Sequence, residues 1–220
     1  MGAQAYADVK AKSKLSKEAA ANALVRRVGE RVAKAADRPD YRWEFILIDD
    51  PKTVNAFCLP GGRVAVYTGI LPITRDENGL AVVLSHEVSH ALARHGAERM
   101  SDQMAAGLIE QAAVLAGVIN TAEGLRNVEL VYGVAGELPH SRKQESEADH
   151  IGLILMAKAG YDPRGALEFW QRMERATAGS TSSGQSLSKP PEFLSTHPSD
   201  EKRIEKIRAE LPEALTYYRP

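Results

Sequence analysis

Several features that would assign the chain to a specialised class of protein are absent from its sequence. It has a single cysteine, Cys58, so no disulfide can form within the chain. Cys58 lies among apolar residues and is expected to be a buried structural thiol rather than a nucleophile or a metal ligand. The formal net charge is −1, and basic and acidic residues are interleaved, so nothing indicates a nucleic-acid partner.

Long hydrophobic runs are also missing. The longest weakly polar run, residues 104–119, is interrupted by Glu110 and Gln111 and is too short to span a bilayer. Residues 1–4 lack the basic start and the apolar core of a signal peptide. The chain has 220 residues, of which 44% are hydrophobic and 26% are charged, as is usual for a globular protein. We therefore predict a single domain over residues 1–220.

Hydrophobic periodicity and turn residues predict an α+β fold that is mainly helical. A small three-stranded sheet, expected to be antiparallel, precedes the helix over residues 77–97. The predicted helices are residues 15–36, 77–97, 104–119, 141–159, 162–176 and 199–210, and the predicted strands are residues 43–48, 54–59 and 63–67. Residues 120–139 are predicted to be mostly loop. Residues 178–191, rich in Ser, Gly and Thr, are predicted to form a mobile loop.

The most informative stretch, residues 85–90, reads Ser-His-Glu-Val-Ser-His and has the pattern H-E-x-x-H. His86 and His90 are four residues apart on one face of a helix, so both imidazoles can reach one metal ion. Glu87 follows the first histidine, where its carboxylate can take a proton from an attacking water without binding the metal. No Pro or Gly interrupts the motif. The alternative is an amphipathic helix with two exposed histidines.

A catalytic zinc ion usually has three protein ligands and one open position, so a third ligand is expected on a later element. Glu145 and Asp149 are four residues apart on one face of the predicted helix 141–159. That face can direct one carboxylate to the metal and the other to a ligand histidine, whose remaining N–H commonly donates to a carboxylate. Glu147 is a competing ligand, but it lies on a different side of the helix. The alternative is an exposed acidic face with an ion pair between Arg142 and Glu145.

Four segments of the chain resemble one family of zinc metallopeptidases. This is family forty-eight, the gluzincins that include the bacterial heat-shock protease HtpX and the eukaryotic CAAX prenyl protease. The matching segments are residues 54–62 (Val-Asn-Ala-Phe-Cys-Leu-Pro-Gly-Gly), 84–95, 141–152 (Ser-Arg-x-x-Glu-x-Glu-Ala-Asp-x-x-Gly), and 196–198 (Thr-His-Pro) with 203–204 (Arg-Ile). The similarity is strongest to the soluble, periplasmic branch, which is kin to the mitochondrial inner-membrane quality-control protease. The sequence lacks the membrane-spanning segments of the two name-giving branches, so their membrane substrates do not carry over.

The resemblance implies a zincin-like metalloprotease domain that binds one Zn²⁺ ion. The site residues that it implies are the zinc ligands His86, His90 and Glu145, the catalytic base Glu87, and Asp149 as support for a ligand. It also implies that strand residues 54–57 form an edge of the cleft and pair with the substrate backbone. Asn55 and Ala56 are expected to contact the substrate there.

Two residues near the C-terminus, His197 and Arg203, are candidates for the second electrophile that an oxyanion needs besides zinc. His197 has two other possible roles. It can bind the zinc, close its open position and make the enzyme latent, or it can simply precede the Ser199 helix cap. His95, five residues after His90, faces elsewhere on a helix and is interpreted as a surface or packing residue.

These observations predict a zinc-dependent endopeptidase that hydrolyses unfolded or extended protein substrates in envelope protein quality control. The resemblance favours the periplasm or the cell envelope, and the cytoplasm is the alternative location. The rival from another class is a peptide-binding or chaperone-like module whose zinc is structural. A structural site is normally closed by a fourth protein ligand and does not need Glu87. A third alternative, a helical scaffold with an accidental motif, would bind no stoichiometric zinc.

Overall fold

A computed structural model describes residues 2–99, 101, 104, 138–177, 192–197 and 201–220. The fold is α+β and mainly helical, as predicted. The helices are α1 (Gly2–Lys12), α2 (Ala19–Ala36), α3 (Leu71–Thr74), α4 (Glu77–Leu92), α5 (Leu138–Lys158), α6 (Gly165–Thr177), α7 (Glu192–Thr196) and α8 (Glu201–Tyr217), and the strands are β1 (Glu44–Ile48), β2 (Ala56–Leu59) and β3 (Arg63–Tyr67). Nearly all of the predicted helix 104–119, most of the predicted loop 120–139 and the predicted mobile loop 178–191 lie outside the described residues.

The N-terminal segment differs from the single helix predicted over residues 15–36. The sequence does not predict α1, and α2 begins only at Ala19. Residues 14–16 instead run along β1, where the Ser16 N–H donates to the Leu47 carbonyl at 2.8 Å. These backbone groups are paired with a strand and are not available to a helix, so α2 starts after them.

The sheet is mixed, with strand order β1-β3-β2, so the prediction of an antiparallel sheet is wrong for one of its two strand pairs. β2 and β3 form an antiparallel hairpin whose turn contains Gly61 and Gly62 at φ values of 89° and 87°. Glycine adopts such positive φ values without strain, which suits a tight turn. β1 pairs with β3 in parallel. Residues 49–55 cross from β1 to the far side of the sheet, where β2 begins, and β3 then returns between the two strands. β2 is therefore an edge strand among the described strands.

α4 is the central element of the fold. The Asp76 side chain caps it by accepting a hydrogen bond from the Gly79 N–H at 2.8 Å. Every residue from 79 to 91 is buried, as expected for a helix in the interior of a domain. His86 is only 3% exposed and His90 only 7%. The alternative of an amphipathic helix with two exposed histidines is therefore wrong.

α4 is shorter than predicted. It ends at Leu92, and the chain turns at Arg94, whose φ of 61° lies in the left-handed region. Residues 95–99 are again helical. The two helical pieces therefore have different directions, and the spacing rules of one continuous helix do not extend past Leu92.

The C-terminal helix is longer than predicted. α8 continues to Tyr217 and contains Pro212, whereas the sequence predicts an end at residue 210. Leu211 and Ala214 are buried, so packing against the rest of the domain extends the helix beyond its local stop signal. No helix among the described residues is both long enough and apolar enough to cross a bilayer.

Candidate functional site

Four buried side chains converge beside a cleft. His86 and His90 from α4, Glu145 from α5 and His197, which follows α7, each offer one ligand atom, and these atoms lie within 4.8 Å of one another. Nε2 of His86 lies 3.1 Å from Nε2 of His90 and 3.1 Å from Nδ1 of His197. The Glu145 carboxylate lies 3.0 Å from Nδ1 of His197 and 3.3 Å from both Nε2 atoms. We call these four residues the ligand cluster.

The ligand cluster fits a divalent metal ion. Zinc bonds of roughly 2.0–2.1 Å place neighbouring ligand atoms about 3.3 Å apart around a tetrahedron. Five of the six residue pairs in the cluster approach to 3.0–3.3 Å, with both Glu145 oxygens taking part, and all four ligand atoms lie within 4.8 Å of one another. Imidazole nitrogens and a carboxylate oxygen are also donors that zinc prefers. When the three imidazoles are unprotonated, their lone pairs and that of the carboxylate converge and repel each other, so a cation between them stabilises this arrangement.

Close packing of α5 on α4 brings the third predicted ligand to the two histidines. Glu145 and Asp149 are both buried and both face α4, whereas the Glu147 side chain is 53% exposed. A Cβ atom at Gly152 would lie 3.3 Å from the His86 backbone. The absence of a side chain at Gly152 therefore allows the two helices to approach closely enough for Glu145 to join the cluster.

Behind the ligand cluster, Asp149 connects His86 to Arg203. Oδ1 of Asp149 lies 3.0 Å from Nδ1 of His86, and Arg203 donates two hydrogen bonds to the same carboxylate at 2.7 and 2.8 Å. The guanidinium also lies 3.2 Å from the Glu145 carboxylate and 3.6 Å from the centroid of the Trp170 ring. Arg203 is buried and is not among the described residues that line the cleft. The expectation that Arg203 contacts a substrate oxyanion is therefore corrected, because its guanidinium is held behind the ligands.

The contacts within the cluster shift the pKa values of its members. Burial alone lowers the pKa of His86, but the contacts with Asp149 and Glu145 raise it to about 9. Burial, together with the charge of His86, lowers the pKa of His90 to about 4. Burial raises the pKa of Glu145, but hydrogen bonds with three histidines outweigh it and hold that pKa far below its usual range. An ionised carboxylate thus faces a protonated and a neutral imidazole, so a metal ion that binds here displaces a proton.

A cleft of about 840 Å³ opens beside the ligand cluster. Its lining includes β2 with the turn that follows it, the end of α4, and helical residues 96, 97 and 99. Glu87, His90 and His197 also line the cleft. Asn55 and Ala56, which were predicted to contact the substrate, both lie on the β2 wall.

The backbone of β2 has an open edge towards this cleft. The Tyr67 N–H donates to the Asn55 carbonyl at 3.1 Å, which shows which residues along this strand direct their backbone groups at β3. Peptide groups alternate in direction along such a ladder, so those of Ala56 and Cys58 point away from β3 and towards the cleft. The Asn55 side chain accepts a hydrogen bond from the Ala56 N–H at 2.8 Å. Ala56 is 2% exposed and its N–H is bonded to Asn55, so a ligand that pairs with this N–H must first displace the Asn55 side chain.

Glu87 lies at the junction of the cleft and the ligand cluster. Its Oε1 atom is 3.2 Å from Nε2 of His197, but no well-aligned hydrogen bond to that oxygen forms among the described residues. Burial raises the pKa of Glu87, but the charge of His197 and the other histidines lowers it below its usual value. Glu87 is therefore an ionised carboxylate that can accept a proton. Cys58 is half-buried on the same wall, and burial and the Glu87 charge raise the pKa of its thiol, which makes it a poor nucleophile.

Comparison with known proteins agrees with this geometry. Residues 19–211 match the model of Peptidase family M48. The chain belongs to peptidase family M48. It is 45% identical over 190 residues to the mitochondrial metalloendopeptidase OMA1 of Schizosaccharomyces pombe, and the match covers 86% of this chain and 53% of that protein.

Other relatives of this M48 chain are human and bacterial. The metalloendopeptidase OMA1, mitochondrial, of Homo sapiens is 36% identical over 187 residues, which are 79% of this chain and 33% of the human protein. The beta-barrel assembly-enhancing protease of Yersinia pestis is 29% identical over 187 residues, which are 82% of this chain and 37% of that protein. The chain thus spans about half the length, or less, of these relatives.

The M48 chain also has site residues that sequence reasoning missed. His95 is 1% exposed, and its Nδ1 lies 2.9 Å from Nδ1 of His90. No helical spacing predicts this contact, because it depends on the break after α4. The rings of Trp170 and Phe193 each lie 6.2 Å from the His86 ring. Their sequence neighbours indicate only that they belong to the core.

Proposed function

We propose that this M48 chain is a zinc-dependent endopeptidase that hydrolyses peptide bonds in protein substrates. The observation that carries the proposal is the position of Glu87, an ionised carboxylate between the ligand cluster and the cleft. A zinc ion that only holds a fold together has no use for a base at that position. In this proposal His86, His90 and Glu145 hold one Zn²⁺ ion.

The reaction needs a base, an oriented metal site and a bound substrate. Zinc, when bound, lowers the pKa of water and polarises a carbonyl oxygen. Glu87 takes the proton of the attacking water on a carboxylate oxygen and returns it to the leaving amine. Asp149 Oδ1 lies 3.0 Å from Nδ1 of His86, although no well-aligned hydrogen bond to that nitrogen forms among the described residues, and Arg203 holds Asp149 with two hydrogen bonds. These contacts orient the ligand before the metal binds.

The open edge of β2 supports an unfolded or extended protein segment as the substrate, rather than nucleic acid. The backbone groups of Ala56 and Cys58 point away from β3 and towards the cleft. Those of Cys58 can pair with an added strand, and the Ala56 N–H can do so when the strand replaces the Asn55 side chain as its acceptor. Asn55 keeps this edge in place through the hydrogen bond from the Ala56 N–H. Backbone pairing selects for an extended conformation, so a stably folded protein would have to unfold locally before it is cleaved.

His197 supports the further proposal that this arrangement is latent. Its Nδ1 atom is in the ligand cluster and its Nε2 atom is beside Glu87, whereas catalytic zinc needs an open position. The backbone N–H of His197 donates to the Phe193 carbonyl at 2.8 Å, and the backbone N–H of Phe193 donates to the Val54 carbonyl at 3.0 Å. Val54 lies just before β2, so a substrate strand that pairs along β2 can compete with Phe193 for the Val54 carbonyl. Loss of that hydrogen bond would free α7, and with it His197.

The same four-residue cluster favours one alternative function. A zinc ion with four protein ligands is typical of a structural site. The second candidate is therefore a peptide-binding or chaperone-like module with zinc but without catalysis. Glu87 argues against it, and an activity measurement decides between the two.

We also propose that the protein acts in envelope protein quality control. The support is the similarity to relatives that are named mitochondrial metalloendopeptidase and beta-barrel assembly-enhancing protease. The periplasm or the cell envelope is the proposed location, and the cytoplasm is the alternative. Fractionation of the source cells followed by immunodetection of the chain separates these locations.

One experiment tests the enzymatic proposal. Protein purified without added zinc is analysed for metal, and casein digestion is measured for the unmodified chain and for Glu87→Gln. We expect one zinc per chain in both proteins and loss of digestion in Glu87→Gln, because glutamine has nearly the same shape but cannot accept the proton. Glu168→Gln, at an exposed position on α6, is the matched control and should digest casein normally. Zinc without any digestion, even in His197→Ala, would support the binding module instead.

A further inference from the structure

His95 is a buried histidine to which the proposed mechanism assigns no role. It is 1% exposed. In a continuous helix, a residue five positions after His90 points away from it. Here α4 ends at Leu92, and Arg94 adopts a left-handed φ of 61°, which few residues other than glycine adopt. Because the helix breaks here, the His95 side chain lies next to His90, with the two ring centroids 5.0 Å apart and the ring planes at 73°.

The two rings contact each other through their Nδ1 atoms, and this contact determines which nitrogen of each ring carries the proton. Nδ1 of His90 is 2.9 Å from Nδ1 of His95, and a hydrogen bond between them needs one donor and one acceptor. Nε2 of His90 is directed into the ligand cluster, where a bound metal ion would take its lone pair. The proton of His90 is then on Nδ1. Nδ1 of His95 must be the acceptor, and the proton of His95 lies on Nε2, which is 3.4 Å from Oε2 of Glu147.

We propose that His95 is a positioning residue of the metal site, which holds the His90 ring by accepting its Nδ1–H while Glu147 holds the tautomer of His95. The inference rests on the proposed metal site. It gives the two ligand histidines different supports, because His86 contacts the Asp149 carboxylate and His90 contacts the His95 imidazole. The Glu147 contact is longer and its side chain is 53% exposed, so Glu147 contributes less than His95.

Two substitutions separate hydrogen bonding from packing at residue 95. His95→Phe keeps a ring of similar size but has no acceptor, whereas His95→Asn removes most of the ring but keeps an acceptor oxygen near the place of Nδ1. We expect zinc affinity, measured by competition with a chelator, to fall roughly 10–100-fold in His95→Phe. We expect a smaller fall in His95→Asn. If His95 only fills space, the order is reversed and the inference is overturned.

Two spectroscopic measurements do not depend on activity. Long-range ¹H–¹⁵N spectra of the unmodified, zinc-loaded protein should show the proton of His90 on Nδ1 and that of His95 on Nε2. A proton on Nδ1 of His95 overturns the inference, even if His95→Phe does not fold. The visible spectrum of the Co²⁺-substituted protein should change in His95→Phe and return towards the original in His95→Asn.

A control and a reference measurement complete the test. His150→Phe, a half-buried position on α5 outside the cluster, should keep the zinc affinity of the unmodified chain. If the unmodified chain binds no stoichiometric zinc, the proposed function fails. If it binds zinc but His95→Phe keeps both the affinity and the cobalt spectrum, this inference alone fails.

Discussion

Replacement of Arg203 by lysine is the sharpest test of the support behind the ligand cluster. Arg203 donates two hydrogen bonds to Asp149, at 2.7 and 2.8 Å, and lies 3.6 Å from the centroid of the Trp170 ring. A lysine ammonium keeps the charge, but it can reproduce neither the two-point contact nor the stacking of a planar guanidinium. The substitution therefore tests geometry and not net charge.

The expected loss of stability is large for a conservative substitution. One charge-assisted hydrogen bond is worth about 1.5–3 kcal/mol, and stacking of a buried cation on tryptophan is worth about 0.5–2 kcal/mol. A central loss of about 3 kcal/mol lowers the unfolding midpoint of a domain of this size by roughly 6–12 °C. Because Asp149 contacts Nδ1 of His86, we also expect zinc affinity to fall by about 10-fold or more.

The assay is thermal unfolding followed by circular dichroism, with chelator and with saturating zinc, together with a zinc competition titration. Arg164→Lys is the matched control, because Arg164 also forms a two-point contact with Asp162 but is exposed to solvent. Its midpoint should not change measurably, since exposed ion pairs contribute little. If Arg203→Lys has the same unfolding midpoint as Arg164→Lys and loses only turnover, Arg203 acts on the substrate and our interpretation is refuted.

The remaining predictions concern the ligand cluster itself. Glu145→Ala should lose stoichiometric zinc in metal analysis and Glu147→Ala should keep it; the opposite result would mean that the wrong face of α5 has been assigned to the metal. His197→Ala should raise basal casein digestion by freeing a zinc position, whereas a loss of about 10²-fold in kcat would assign His197 to the oxyanion. Zinc affinity should rise as the pH increases from 6.5 to about 9, because burial lowers but Asp149 and Glu145 raise the pKa of His86 to about 9, and its proton must leave before the metal binds. An affinity that is constant over this range would contradict the raised pKa.

Local periodicity was sufficient for the parts of the site that lie within one element. His86 and His90 are on one face of α4, and Glu145 and Asp149 are on one face of α5, because the helical repeat alone sets both relations. The β2–β3 hairpin follows in the same way from Gly61 and its neighbouring glycine in the turn. Family resemblance selected Glu145 over Asp149 as the ligand, a choice that spacing left open.

Tertiary structure decided the relations between distant elements. The parallel pairing of β1 with β3 depends on which strand the chain passes, and His95 reaches His90 only because α4 breaks at Arg94. Arg203 is held behind the cluster by a carboxylate 54 residues away, and His197 meets His86 across 111 residues. Such contacts arise from the packing of whole elements against a shared core, and a repeat of two or 3.6 residues carries no information about them. The sequence by itself therefore determined which chemistry is available on each helix, and only the packed structure decided which supporting side chains surround it.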